Sequence, residues 1–201
     1  MPRTLPALAS LLLLTLCPAT IHAQGPGLGS ENRVGAAVSL RAGATWVDGG
    51  PTPIGSLSAT LRLSRQFEVG GEAAMTLRPT LLDSEESSDA PELSLGYGGL
   101  LLRWTSEEGT PSPSFRWRAG LLLGAGSARL ESVVLDHEVA SENFLFAEPE
   151  IALLLSQDRN IRLSIEGRYR LASATARLSE LGPQGVRGAS LTLGVQFVHD
   201  P

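Results

Sequence analysis

Between residues 33 and 47 the chain alternates without a break. Val34, Ala36, Val38, Leu40, Ala42, Ala44 and Trp46 take the even positions, and Gly35, Ser39, Arg41, Gly43 and Thr45 fall among the odd ones. A two-residue period sends successive side chains to opposite faces of an extended backbone, so the segment reads as a strand with one apolar face and one small or polar face.

The same pattern returns along the rest of the chain. Leu57, Ala59, Leu61 and Leu63 oppose Ser58, Thr60 and Arg62; Phe67, Val69, Ala73, Met75 and Leu77 oppose Glu68, Glu72, Thr76 and Arg78. In 92–104 the run Leu100, Leu101, Leu102 blurs the facing and predicts a bulge. Phe115, Trp117, Leu121 and Leu123 then oppose Arg116, Arg118, Gly120 and Gly124. A segment at 144–155 sets Leu145, Ile151 and Leu153 against Glu148, Glu150 and Ala152, with Pro149 expected at an edge or bulge because it cannot donate to a ladder. At 161–171, Ile161, Leu163, Ile165, Tyr169 and Leu171 oppose Arg162, Ser164, Glu166, Arg168 and Arg170; at 190–197, Leu191, Leu193, Val195 and Phe197 oppose Ser190, Thr192 and Gln196.

Eight strands follow from this count. Long connections are expected near Asp48, Asp83, Asp136 and Pro183, the third running over 130–143. Short ones are expected near Arg65 and Asp158, with 105–113 a longer exception. Both ends of the chain then lie on the same side.

The first residues carry a charge at Arg3, an apolar run over 8–16 and the small residue Ala23, the plan of a secretory signal peptide cleaved after residue 23. That run is well short of the roughly 20 residues a membrane-crossing helix needs. Cys17 follows a leucine rather than a small residue, which disfavours lipidation, and removal of 1–23 leaves a chain of residues 24–201 without cysteine. Disulfides and thiolate metal sites are thereby excluded. A net charge of -5 gives no basic face for nucleic acid.

Alternation alone does not distinguish a soluble β-sandwich or lipocalin-like barrel from a membrane barrel, which turns its apolar face outward. Residue size does favour one. The lumen of eight strands is narrow, so lumen positions must be small or carry charges that pair, whereas lipid-facing positions can be bulky. The polar faces here combine Gly, Ser, Thr and Ala with charges of both signs. Arg41, Arg62, Glu68, Glu72, Glu148, Glu150, Arg162, Glu166, Arg168 and Arg170 form an expected lumen ion-pair network, which Arg78, Arg116 and Arg118 could extend. The chain contains no lysine, and the planar guanidinium is the better partner for a carboxylate away from water. Phe67, Phe115, Trp117 and Phe197 fall near one set of strand ends, and Trp46 and Tyr169 near the other, as two interfacial belts would require.

The fold class expected is therefore all-β: an antiparallel up-and-down transmembrane β-barrel of eight strands. In this architecture, and in the segment LTLGVQF at 191–197, the chain resembles the small eight-stranded outer-membrane barrels, the OmpA transmembrane domain, OmpX and OmpW group in the broad sense. The resemblance implies a bacterial outer-membrane location, contact with outer-membrane lipid, and a last strand presented to the barrel assembly machinery, although Val198, His199, Asp200 and Pro201 follow the terminal aromatic residue. A monomer without cofactor is expected.

Some outer-membrane barrels are enzymes, and catalysis of that kind needs a nucleophile beside a base. Asp136, His137, Glu138 and Ser141 supply the letters of a catalytic set, but nothing in a connecting loop holds serine within hydrogen-bond reach of histidine. The acidic run Asp83, Glu85, Glu86 and Asp89 could take a divalent cation, yet its spacing matches no EF-hand and a solvated charge run is the simpler reading. Glu148 and Glu150 point to one side of a strand toward Arg168 and Arg170, which makes ion pairing the simpler account of them too. The function expected is structural or surface-interacting and non-enzymatic. A narrow, porin-like channel and a lipid-modifying enzyme are the alternatives.

Overall fold

The computed structural model describes residues 35–47, 50–81, 92–106, 115–132, 137–156, 160–173 and 186–199. The leader expected at 1–23, Asp136 and the acidic run at 83–89 lie outside them. Eight long strands follow one another: β1 (Gly35–Val47), β2 (Gly50–Arg62), β3 (Phe67–Thr76), β4 (Glu92–Thr105), β5 (Phe115–Ser132), β6 (His137–Ser156), β7 (Ile161–Ala172) and β8 (Gly188–His199). Each pairs antiparallel with the next, β8 pairs with β1, and the ring closes on itself. Beyond β3, the pair Thr80–Leu81 adds a short bridge to the start of β4.

Closure is what the alternation needs. A sheet with one apolar face and no second layer must leave an edge or curl until it has none. The register can be followed straight across the strands from Gly35 through Arg62, Glu68, Arg103, Gly120, Glu150, Arg168 and Ser190. It returns to β1 at Thr45, ten residues further along. That stagger requires strands inclined by about 35–45° to the barrel axis.

The barrel is inside-out. Leu40, Leu61, Met75, Leu123, Ile151, Ile165 and Leu193 are exposed on the outer face, while Ser58, Glu72, Arg103, Arg118, Glu148, Glu166 and Arg170 are buried within. Phe67, Trp104, Phe115, Trp117 and Phe197 stand exposed near the strand ends on the side where the chain enters β1 and leaves β8, with Phe67 directly opposite Trp104. That side is called the terminal end. Trp46 and Tyr169 stand near the other, the loop end.

The connections depart from expectation in two places. Val47 pairs directly with Gly50, so only two residues join β1 to β2 where a long connection is expected near Asp48. Pro51 and Pro53 are tolerated inside β2 because the ladder with β3 begins only at Ile54. Similarly β5 and β6 run on to Ser132 and His137, leaving four residues between them in place of the expected 130–143 loop. Here the register does shift, between Leu130 and Glu131.

Pro149 marks neither an edge nor a bulge. The ladder from β6 to β7 makes no pair at Glu148 or Pro149, but its register is the same on both sides of the gap. A closed barrel offers no edge, so the missing N–H costs a ladder bond locally. The run Leu100, Leu101, Leu102 likewise keeps an unbroken register with both neighbours. Leu101 is fully buried and its neighbours are exposed, so the apolar residues of β4 simply occupy both faces.

Candidate functional site: the barrel lumen

The lumen is filled from two sources. On the terminal side the inward positions of β1, β3, β4, β5, β6 and β7 supply guanidinium and carboxylate groups. Arg168 on β7 reaches four carboxylates, Glu72 at 2.6 Å, Glu150 at 2.7 Å, Glu166 at 3.0 Å and, more distantly, Glu148 at 3.9 Å. Arg41 on β1 bridges Glu72 and Glu166, at 2.9 Å to each, and its Nη2 donates to Ser58 Oγ at 2.6 Å. Two further arginines close the ring. Arg103 on β4 donates from Nε and Nη2 to the two oxygens of Glu150 at 2.5 and 3.1 Å, the fork geometry that suits guanidinium to carboxylate. Arg118 on β5 reaches Glu166 Oε1 at 2.5 Å and donates to Gln196 Oε1 at 3.4 Å.

Arg168 meets Glu150 across one hairpin and Glu166 along its own strand, whereas its contact with Glu72, and those of Arg41 and Arg118 with Glu166, join non-adjacent strands and tie across the lumen. Glu166 accepts from Ser164 as well, at 2.8 Å, and has no solvent exposure. Arg170 is held more loosely, 3.4 Å from Glu148 and 3.1 Å from Thr45 Oγ1, with its guanidinium carbon 4.3 Å from the centroid of the Tyr97 ring. Nearer the terminal mouth, Arg62 faces Glu68 across the β2–β3 hairpin at 3.8 Å, and Thr60 donates to the same carboxylate at 3.4 Å. Arg116 and Arg162 are only half-buried there. Arg78 stands apart from the lumen, exposed beyond the end of β3.

Toward the loop end the filling turns apolar. Tyr97 meets Phe146 edge to face at 5.1 Å, and Phe146 lies 6.1 Å from Phe144. Val47, Ile54, Leu93, Leu95, Leu122, Ala128 and Leu130 complete one buried cluster with them. Arg170 over Tyr97 is the junction between the two fillings.

Glycine makes room for both. A Cβ on Gly120 would lie 2.6 Å from the Glu150 carboxylate oxygen that Arg103 holds, so the carboxylate lies flat against a bare stretch of wall. Gly99 and Gly124 face each other across β4 and β5, where a Cβ on either would fall about 2 Å from a carbonyl oxygen of the opposite strand. The two backbones approach there as only glycine allows.

Arg103 carries no label in the sequence-derived network, and Arg118 enters only as an extension of it, yet both hold central carboxylates. Arg103 shares its parity with Leu93, Leu95 and Leu101, which disguised the inner face of β4. The signal available was its two-residue spacing from Leu101. Among the described residues no group of three metal-binding side chains comes together. His199 is exposed at the end of β8, and Ser141 is exposed on β6. Arginine or hydroxyl donors hold each of Glu68, Glu72, Glu148, Glu150 and Glu166, although Glu148 Oε1 has no hydrogen-bond partner.

No family model matches the sequence, and no curated protein matches it. Solved structures do. Neisserial surface protein A is similar with a TM-score of 0.59 at 13% identity, over 82% of this chain and 96% of that one. Ail, the attachment invasion locus protein of Yersinia pestis, is similar with a TM-score of 0.51 in two crystal structures. One holds the heparin analogue sucrose octasulfate, at 16% identity, and the other is described without it, at 14%; each covers 84% of this chain and 99% of Ail. At such identities the likeness speaks for architecture, and with the closed ring of eight antiparallel strands it fixes the class: the chain has the up-and-down fold of the small eight-stranded outer-membrane β-barrels.

Proposed function

We propose that the chain is a bacterial outer-membrane barrel, exported through a leader at 1–23, that anchors in lipid by its outer face and acts through what its loop end presents. The observation that carries this reading is the inversion of burial. Bulky aliphatic and aromatic side chains cover the outside while charged groups are sequestered within, an arrangement stable only where the surroundings are apolar. Strands of 10 to 20 residues are long enough, since about 9–11 inclined residues cross a bilayer core. The termini lie on the periplasmic side, β8 is the strand offered to the assembly machinery, and the barrel works as a monomer without catalysis. That Ail takes a heparin analogue, sucrose octasulfate, supports a binding role for a barrel of this kind, which this reading assigns to the loop end.

Cell fractionation tests the reading directly: the protein is expected in the outer membrane, and recovery as a soluble periplasmic protein would remove it. The ion pairs and the apolar cluster above them favour a closed lumen over the channel alternative. In planar bilayers the protein should give no steady current, and large stable single-channel steps would restore the channel.

A further inference from the structure

The central network of the lumen sets five buried arginines, Arg103 and Arg118 among them, against four buried glutamates, Glu72, Glu148, Glu150 and Glu166. Glu68, the other buried carboxylate, is matched by Arg62. Among the described residues the buried interior therefore holds one guanidinium more than its carboxylates balance. A charge withdrawn from water is costly unless an opposite one meets it. Donors are left over as well: Arg103 Nη1, Arg118 Nε and Gln196 Nε2 are buried without a hydrogen-bond partner. Both surpluses meet at Arg118, which donates from Nη2 to Glu166 at 2.5 Å and from Nη1 to Gln196 Oε1 at 3.4 Å. The second bond is longer than is usual for N–H to O. Gln196 is 2% exposed and faces inward, with Ser39 opposite it on β1 and Arg162 opposite it on β7. These neighbours carry hydroxyl and guanidinium donors and no carboxylate. Ser39, and Ala152 opposite Arg118, keep the wall there small.

We propose that one chloride-sized inorganic anion is bound in the lumen beside Gln196, accepting hydrogen bonds from the Gln196 amide nitrogen and the Arg118 guanidinium. A water molecule would take the same donors and leave the charge unbalanced, whereas an anion answers both surpluses. The lumen of eight strands is just wide enough for side chains to fill, which admits a single atom and turns away organic anions. Thr192 Oγ1 is also buried without a partner, but it stands opposite Glu166, whose charge repels an anion. Gln196 lies on the terminal side of that carboxylate, with Arg118 bridging the two. The site needs only the closed ring of strands, so it does not depend on the membrane reading.

Crystals of the full protein grown in sodium bromide test the proposal directly. An anomalous peak is expected in the lumen within hydrogen-bond reach of Gln196 and Arg118, and water alone at that place would overturn it. Unfolding in detergent gives an independent readout. Ionic strength is held constant with gluconate, which is too large for the lumen. The wild-type unfolding constant should then fall about tenfold for each tenfold rise in chloride beyond saturation, as binding of one ligand to the native state requires. Q196E supplies the missing negative charge from the protein itself and should abolish that dependence. A wild-type constant indifferent to chloride, or the same dependence in Q196E, would refute the site. If Q196E does not fold, Q196M takes its place, removing the amide donor without adding charge. Its chloride dependence should begin at a concentration about tenfold higher, and an unchanged onset would count against the site.

Discussion

The guanidinium of Arg170 sits 4.3 Å above the ring of Tyr97, and through that contact the charged filling of the lumen is joined to the apolar one. Arg170 has no solvent exposure and its carboxylate partner Glu148 is 3.4 Å away, so the ring face is a substantial part of its stabilisation. A buried cation over an aromatic face is worth about 2 kcal/mol. Tyr97→Phe, which keeps a ring, should change unfolding stability in detergent or bilayer by well under that amount. Tyr97→Leu should lose about 2 kcal/mol. Equal losses in the two variants would show that the ring face contributes nothing specific.

Removing one member of the central network leaves its partners charged and buried. Glu166→Ala strips Arg41, Arg118 and Arg168 of a shared carboxylate, and a loss of about 3–5 kcal/mol is expected. Arg62→Ala, at a pair 3.8 Å apart in which Glu68 is buried but keeps the Thr60 hydroxyl, should cost less, about 1–3 kcal/mol. Urea titration of both proteins in the same lipid checks the ranking, which a central loss no larger than the peripheral one would reverse.

The outer face has its own test in Leu193, 64% exposed, beside the inward Thr192. Leu193→Arg should lower folding stability in bilayers by about 2–4 kcal/mol, with Thr192→Ser close to wild type. Comparable folding of the two would contradict the assignment of inner and outer faces.

Gly120→Ala drives a methyl into the carboxylate that Arg103 grips, and should destabilise by about 1–3 kcal/mol, as overpacking does. At Gly71, on the outer face, the nearest atom to an added Cβ is 3.7 Å away, so Gly71→Ala should be neutral or mildly stabilising. Thermal unfolding of the pair separates a packing effect from a general intolerance of substitution.

Facing was legible where each face was chemically uniform. In β1 and β7, arginine, glutamate and serine occupy one parity and aliphatic residues the other, so period two alone assigns inside and outside. The strand β4 defeats that logic, because Leu93, Leu95 and Leu101 point into the apolar part of the lumen while Leu100 and Leu102 point out. Arg103 was hidden by the same mixture. The neighbours that any inner residue meets across the lumen depend on the stagger of the closed ring, as when Arg168 finds Glu72 on β3, and a stagger is not a property of any one segment. The expectation of an edge or bulge at Pro149 fails for a related reason: whether a missing N–H matters depends on which neighbour is present at that height.

The pairing of β1 with β8 has a kinetic meaning. Ala36 lies opposite His199, so the ladder that seals the wall joins residues at nearly opposite ends of the described chain. Every other ladder but that one can form between neighbours in sequence. Until the last strand arrives, the growing sheet keeps two raw edges, and the arginines and glutamates of its inner face have no opposite wall to meet. Contacts of such long sequence separation are slow to form because chain entropy is lost before they give anything back. The seam thus makes assembly late and all-or-none: a chain cut short within 188–199 would not give a smaller barrel but an open sheet, ready to pair with whatever strand it meets.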